Sequence, residues 1–174
     1  MPTRSKRSVY DHLRLMRPWI CDYGSTICAV LAALVMLWVL CSTAAADSSV
    51  LTARQDSILR AIQMVEVGTL DPDVAATAVG DSGRAIGPFQ IHLSYYQDAS
   101  CQNRQLASCY SRCRDARFAR GVVEAYMLRY CPDAWRCGDA ETIARTHNGG
   151  PKGPQRASTL TYWRKVKAQL DKQR

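Results

Sequence analysis

Patterns for holding a metal or reading nucleic acid are both missing from this chain. None of its eight cysteines forms a Cys-x-x-Cys pair, and His92 and His147 lie far from them in sequence, which argues against a zinc site. Arginine dominates the basic residues but is scattered, with no aromatic-interleaved run, so no nucleic-acid partner is expected. No cofactor is implied. There is no repeat, low-complexity tract or internal linker beyond the N-terminal leader, which leaves one ordinary domain. The apolar run from Ile27 to Cys41, about 15 residues, falls short of the roughly 20 that span a bilayer comfortably.

What is present begins with a basic leader. Arg4, Lys6, Arg7, Arg14 and Arg17 precede the apolar run, and Ala44-Ala45-Ala46 supplies the small residues of a cleavage site. Residues 1–46 are expected to be a secretory signal peptide, with an uncleaved signal anchor as the rival reading. Residues 47–174 then act outside the cytoplasm, secreted if the leader is cleaved and membrane-anchored if it is not. They carry 18 Lys and Arg against 13 Asp and Glu, a net charge of +5. That balance suits an anionic partner such as a bacterial surface, and it serves solubility equally well. A monomer is expected. Cys101, Cys109, Cys113, Cys131 and Cys137 fall in this part, and in an oxidising compartment they read as disulfide candidates whose pairing the spacing does not fix.

Local patterns predict a mainly helical domain with a small β insertion. Asp56 and Ser57 are good caps, and Ile58, Leu59, Ile62 and Val65 follow at helical spacing, so a helix is expected over 57–67 with Glu66 in its last turn and Gly68 as its stop. Asp71-Pro72-Asp73 reads as a turn. Glycines at 80, 83 and 87, with Pro88 after the last, predict a tight hairpin or meander from Val79 to Ile91. A short helix follows around Tyr95 to Asp98. Asp115 caps a longer one carrying Phe118, Val122, Ala125, Tyr126 and Arg129 on one face. Asp139 begins another helix, which is expected to end at a loop running from His147 through Pro154. A last helix starts near Ser158, with Leu160, Trp163, Val166 and Leu170 as an apolar stripe that reads as core.

Two carboxylates stand out chemically. Cutting a glycosidic bond requires a proton for the leaving oxygen and negative charge near the developing cation. Glu66, between Val65 and Val67, suits the proton donor, because an apolar surround disfavours the charged form. Asp81, between Gly80 and Ser82, suits the ionised partner, although an aspartate beside glycine also closes turns without further function. Gly87 to Ile91 brings backbone close to a ligand and presents the Gln90 amide to hydroxyl groups. The glycines at 149 and 150, beside His147 and Asn148, either shape a cleft or make a sharp turn between helices.

Taken in order, Glu66, Gly80-Asp81-x-Gly83, Gly87-x-Phe89-Gln90-Ile91, Tyr95-Tyr96-x-Asp98, His147-Asn148-Gly149-Gly150-Pro151-x-Gly153 and Thr159-Leu160-x-Tyr162-Trp163 resemble the invertebrate-type lysozymes, or destabilase family. The resemblance runs from about Ser57 to Val166. It implies a lysozyme-like α+β fold and hydrolysis of the β-1,4 bond between N-acetylmuramic acid and N-acetylglucosamine in bacterial peptidoglycan. It further implies Glu66 as proton donor and Asp81 as second carboxylate. Gln90, Ile91, Tyr95, His147, Asn148 and Gly149 are the residues then expected to contact substrate. A protonated carboxyl in an apolar pocket beside an ionised one in a polar pocket is the arrangement known from lysozyme.

The chain departs from that family's pattern in four ways. Phe118, Val122 and Pro154 stand where cysteines are common. The interval between Glu66 and Asp81 is a few residues longer than usual, which leaves Asp71 and Asp73 as weaker candidates for the second acid. Arg84 and His92 occupy the places of a serine and a lysine found in members that cleave isopeptide bonds, so that activity is not expected by this route. Finally, Glu66-x-Gly68, Pro72 and Gly83-x-Ala85-x-Gly87-x-x-Gln90-Ile91 also resemble lytic transglycosylases, which use one glutamate and release a 1,6-anhydro sugar. A catalytically silent peptidoglycan- or chitin-binding protein, or a cysteine-containing inhibitor, is the reading from another class.

Overall fold

The computed structural model describes residues 27, 30–36, 52–101, 103, 106 and 109–173. The chain divides into two compact units, Met1–Ser48 and Ser49–Arg174. In the first, residues 27 and 30–36 are helical; the basic flank and the alanine cleavage site lie outside the described residues. Among the described residues, no helix is long and apolar enough to cross a membrane.

The second unit is mainly helical with one small antiparallel sheet, as expected. Helix α1 spans residues 52–67. It begins about one turn earlier than the caps suggested, because Asp56 is spent inside the helix on ion pairs with Arg60 (2.8 Å) and Arg120. Ile58, Leu59, Ala61 and Ile62 are at most 1% exposed. Gly68, at φ +72°, closes the helix by donating to the Met64 carbonyl (3.1 Å), a left-handed position that glycine adopts freely.

The Asp71-Pro72-Asp73 segment starts a helix where a turn was expected. Asp71 accepts from the amides of Asp73 (2.9 Å) and Val74 (3.2 Å), and Pro72 occupies the first helical position, so α2 runs Pro72–Thr77. A proline cannot sit inside a helix but its fixed φ suits the first turn. Helix α2 lies in the interval between the two acids, and Asp71 is committed to capping it.

Strands β1 (Val79–Gly80), β2 (Ala85–Ile86) and β3 (Ile91–His92) form the expected meander, with Val79 opposite Ile86, Ala85 opposite His92 and Ile86 opposite Ile91. Tyr110 Oη ties it to the body by reaching the carbonyls of Ile91 (2.6 Å) and Arg84 (3.0 Å). Gly87 has φ +74°, and a Cβ there would lie 2.0 Å from the Cys113 carbonyl oxygen, so both its sign of φ and its contact exclude a side chain.

Helix α3 is Leu93–Ser100 and α4 is Ala116–Tyr130, the latter capped by Asp115, which accepts from the Phe118 amide (2.7 Å). Ala119, Val122, Val123 and Met127 are 0% exposed, so α4 is the axis of the core. A short helix α5, Pro132–Cys137, ends at left-handed Gly138. Asp139 then caps α6, Ala140–Gly149, which buries Ile143 and Ala144. Helix α7 is Leu160–Lys172; Val166 is fully buried, with Tyr162, Trp163 and Leu170 packed half-buried against the same core.

Ile91, expected to contact substrate, belongs to this core at 1% exposure. Neighbouring strand residues face opposite sides, so Ile91 turns inward where His92 turns to the cleft. Ile91→Ala is accordingly predicted to lower the unfolding free energy by about 2–5 kcal/mol, read by urea titration. A loss under about 1 kcal/mol would place Ile91 on the surface side after all.

Candidate active site

One cleft of about 390 Å³ gathers Glu66, Asp81, Gln90, Tyr95, His147 and Asn148. These are six of the eight residues picked out from sequence. Ala85, His92, Ser94, Asp98, Tyr126 and Gly150 complete its lining. Gly149 is not part of it: a Cβ there would meet the Thr159 methyl at 2.6 Å, so this glycine packs against the chain following α6. His147, Asn148 and Gly149 are also not loop residues but the last turn of α6, and the left-handed break comes at Gly150, φ +72°.

Glu66 is 19% exposed, in the last turn of α1. The Tyr162 hydroxyl donates to its Oε1 at 2.6 Å. Burial, reinforced by the charge of Glu66, pushes the Tyr162 phenol well above its ordinary range, so it remains a donor. His147, 5% exposed, places Nε2 3.7 Å from the same Oε1. Burial lowers its pKa below the ordinary 6.5, against the opposing pull of Glu66 and of its bond to Phe89, so the ring is neutral at pH 7.

The tautomer of His147 follows from its partners. Nε2 lies 3.2 Å from the Phe89 carbonyl oxygen, which can only accept, so Nε2 carries the hydrogen. Nδ1 therefore accepts, from the Tyr95 hydroxyl at 3.2 Å. Tyr95 is itself held protonated, its pKa raised well above the usual value chiefly by burial. Its ring stacks on Tyr126 with centroids 3.6 Å apart. The Glu66 wall is thus a chain of neutral donors and acceptors locked by packing.

The opposite wall is strained and charged. Asp81 (φ +47°), Ser82 (φ +55°) and Gln90 (φ +45°) are left-handed without being glycine, a conformation that costs roughly 1–3 kcal/mol per residue and clusters at working sites. Arg84 brackets Asp81, donating from Nη2 to Oδ1 (2.7 Å) and from Nε to the backbone carbonyl (3.1 Å). His92 Nε2 lies 3.6 Å from Oδ2. The Gln90 amide donates to the Gly87 carbonyl (2.9 Å), and its Oε1 fills the space a Cβ at Gly80 would need. Gly80 is therefore what lets Gln90 reach its place.

Sequence reasoning missed Ser94, Asp98, Tyr126 and the role of Tyr162. Ser94 and Asp98 are one helical turn apart on α3, so the spacing around Tyr95 could have found them. Tyr162 had no local signal, since its partner is 96 residues away.

The five disulfide candidates all stand as free thiols. Cys113 is buried in the core, its thiol pushed up to about 12 by burial, and Cys131 packs against the Met127 sulfur at 3.5 Å. Cys101, Cys109 and Cys137 are exposed, and none of the five lines the cleft. Among the described residues, no three His, Cys, Asp or Glu side chains gather to hold a metal.

A family model described as Destabilase matches residues 67–169, beginning one residue after Glu66 and taking in Asp81 and every later residue of the cleft. The chain belongs to the destabilase family. As a member it is 39% identical over 83 residues to a lysozyme of Magallana gigas, covering 48% of this chain and 58% of that one. It is 41% identical over 90 residues to a lysozyme of Ostrea edulis (50% and 63%) and 36% over 89 residues to invertebrate-type lysozyme 6 of Caenorhabditis elegans (47% and 64%). The chain thus spans less than two thirds of each relative's length. Its fold is similar to a chain in the crystal structure of Aeromonas hydrophila PliI in complex with Meretrix lusoria lysozyme, with TM-score 0.51 and 29% identity over 64% of this chain and 87% of that one. The architecture is lysozyme-like α+β.

Neutral, buried His147 has a consequence for stability. Below about pH 6.5 the unfolded chain takes up a proton at this position that the folded ring, with its lowered pKa, resists. The contribution is complete above that pH and is lost as pH falls through it. Urea unfolding followed from about pH 8 down to pH 5 is predicted to show this decline in the wild type and a smaller one in His147→Gln. Equal slopes in the two proteins would contradict a buried neutral ring.

Proposed function

We propose that this protein is a secreted muramidase, hydrolysing the β-1,4 bond between N-acetylmuramic acid and N-acetylglucosamine in bacterial peptidoglycan. The observation that carries the reading is the pairing, across one cleft, of a mostly enclosed glutamate with a half-exposed aspartate held by the Arg84 guanidinium. Membership of a family whose similar relatives are named lysozymes supports it.

In this mechanism Glu66 gives its proton to the glycosidic oxygen as the bond to the anomeric carbon breaks. Asp81 stabilises the developing positive charge or attacks it as a nucleophile, and water completes the hydrolysis. Gln90, Asn148 and Ser94 supply amide and hydroxyl groups suited to sugar hydroxyls.

A second reading has its own support. Arg84 occupies Oδ1 of Asp81 and His92 Nε2 stands 3.6 Å from Oδ2, so the carboxylate is already engaged and its part in the reaction is open to replacement by a one-acid route. A lytic transglycosylase would need Glu66 alone and would leave products one water lighter, ending in a 1,6-anhydro sugar.

Turbidity assays on bacterial walls test the enzyme reading. Wild-type protein is predicted to clear them, and Glu66→Gln to slow clearing by about 10²- to 10⁴-fold. Failure of the wild type to clear, or unimpaired clearing by Glu66→Gln, would leave a wall-binding protein as the better account. Mass spectrometry of the fragments is predicted to show reducing ends; 1,6-anhydro ends would select the transglycosylase.

A further inference from the structure

We propose that the two oxygens of Glu66 have separate jobs: Oε1 is held by Tyr162 and His147 as positioning residues, and Oε2 carries the proton that reaches the substrate. This rests on the glycosidase reading above and adds to it an atom assignment and two residues in stated roles.

Both groups converge on one oxygen, Tyr162 as its donor and His147 as its neighbour. Tyr162 Oη lies 2.6 Å from Oε1, a short and therefore strong bond for a hydroxyl to a carboxyl oxygen, and His147 Nε2 lies 3.7 Å from that same atom. The hydrogen on Nε2 is engaged with the Phe89 carbonyl, so the imidazole is fixed to the backbone and stands beside Oε1 as a neighbour at 3.7 Å, without a hydrogen bond to it. Oε1 accepts from the Tyr162 hydroxyl and is flanked by His147, and a carboxylic acid whose one oxygen accepts from a fixed donor keeps its proton on the other.

The arrangement also explains how charge is accommodated during reaction. When Oε2 releases its proton to the glycosidic oxygen, the carbon–oxygen bond breaks with its electron pair going to that oxygen, and a full negative charge appears on Glu66. Delocalisation places half of it on Oε1, where the Tyr162 hydroxyl already donates and the fixed His147 edge lies alongside. Preorganised donors aimed at developing charge are a large source of rate enhancement. Neither donor can relay the proton instead, because the phenol is held well above its usual range and the ring is neutral.

The groups facing this carboxyl are Tyr162 from α7, His147 from α6 and Tyr95 from α3, with Asp81, Arg84 and His92 on the opposite wall. Among the described residues Tyr162 donates a hydrogen bond to Oε1, and His147 stands next to the same oxygen at 3.7 Å.

The test is steady-state kinetics of Tyr162→Phe in the full protein on a soluble peptidoglycan fragment, with wild type and Glu66→Gln run alongside. Phenylalanine keeps the ring that packs on the core and deletes only the donor. The expected result is an unchanged KM, a kcat lower by about 10- to 10³-fold, and an alkaline limb of kcat/KM moved to higher pH, because the ionised carboxylate has lost a hydrogen bond. His147→Gln, which leaves α7 untouched, is expected to move the limb the same way by less, and it serves should Tyr162→Phe not fold. An active wild type, a dead Glu66→Gln and an unaltered rate and pH profile in both donor variants would overturn the assignment while leaving the glycosidase reading intact. If the wild type is itself inactive that reading fails, and carbon-13 NMR titration of the Glu66 carboxyl decides the assignment: a midpoint raised in Tyr162→Phe supports it, and an unmoved one refutes it.

Discussion

A carboxyl group at the end of a helix needs a donor, and in this molecule the catalytic wall of the cleft follows from where that donor comes from. Glu66 lies in the last turn of α1, where unpaired backbone carbonyls already concentrate partial negative charge. Tyr162 answers it from α7, 96 residues later. That bond depends on α7 being docked through Val166 against a core whose axis is α4, with α6 packed on α7 and carrying His147 on its final turn. The rigid wall of the cleft is therefore a product of the whole helical body rather than of any local motif.

The other wall is made on different principles. Three strands of two residues each cannot be stable alone; they are held by Tyr110, by the glycine at 87 pressed on the Cys113 carbonyl, and by the turn that Arg84 closes around Asp81. Strain at Asp81, Ser82 and Gln90 is tolerated because these surroundings over-determine the backbone. The result is a cleft with a neutral, packed side presenting Glu66 and a charged, partly solvated side presenting Asp81. This asymmetry is the physical basis for assigning different chemistry to two residues of the same class.

Much of this was legible in the sequence where the signal was local. The glycines at 80, 83 and 87 announced the meander, Asp115 and Asp139 announced two helix starts, and Gly68 placed Glu66 in a final turn. Asp71-Pro72 carried a helix-start signal too, a capping aspartate followed by proline at the first position, but the proline was read only as a breaker. Ile91 shares a motif with Gln90 yet lies in the core, because strand alternation sends adjacent residues to opposite faces. His147 to Gly149 looked like loop because of the glycines, and packing against Thr159 keeps them helical. The pairing of cysteines had no such local rule, and all five are free thiols, two of them engaged in packing. Tyr162 and the Arg84–Asp81–His92 cluster depend on contacts that only the folded chain creates.

The central claim, that Glu66 is the acid and works from one defined oxygen, is met most directly by a crystal structure of Glu66→Gln with a soluble peptidoglycan fragment bound. The account predicts that Tyr162 still donates to the side-chain oxygen of residue 66 and that the new amide nitrogen, standing where Oε2 was, lies about 3 Å from a glycosidic oxygen, with Asp81 on the far side of the sugar. A fragment seated outside this cleft, or one whose glycosidic oxygen approaches from the side Tyr162 occupies, would contradict it.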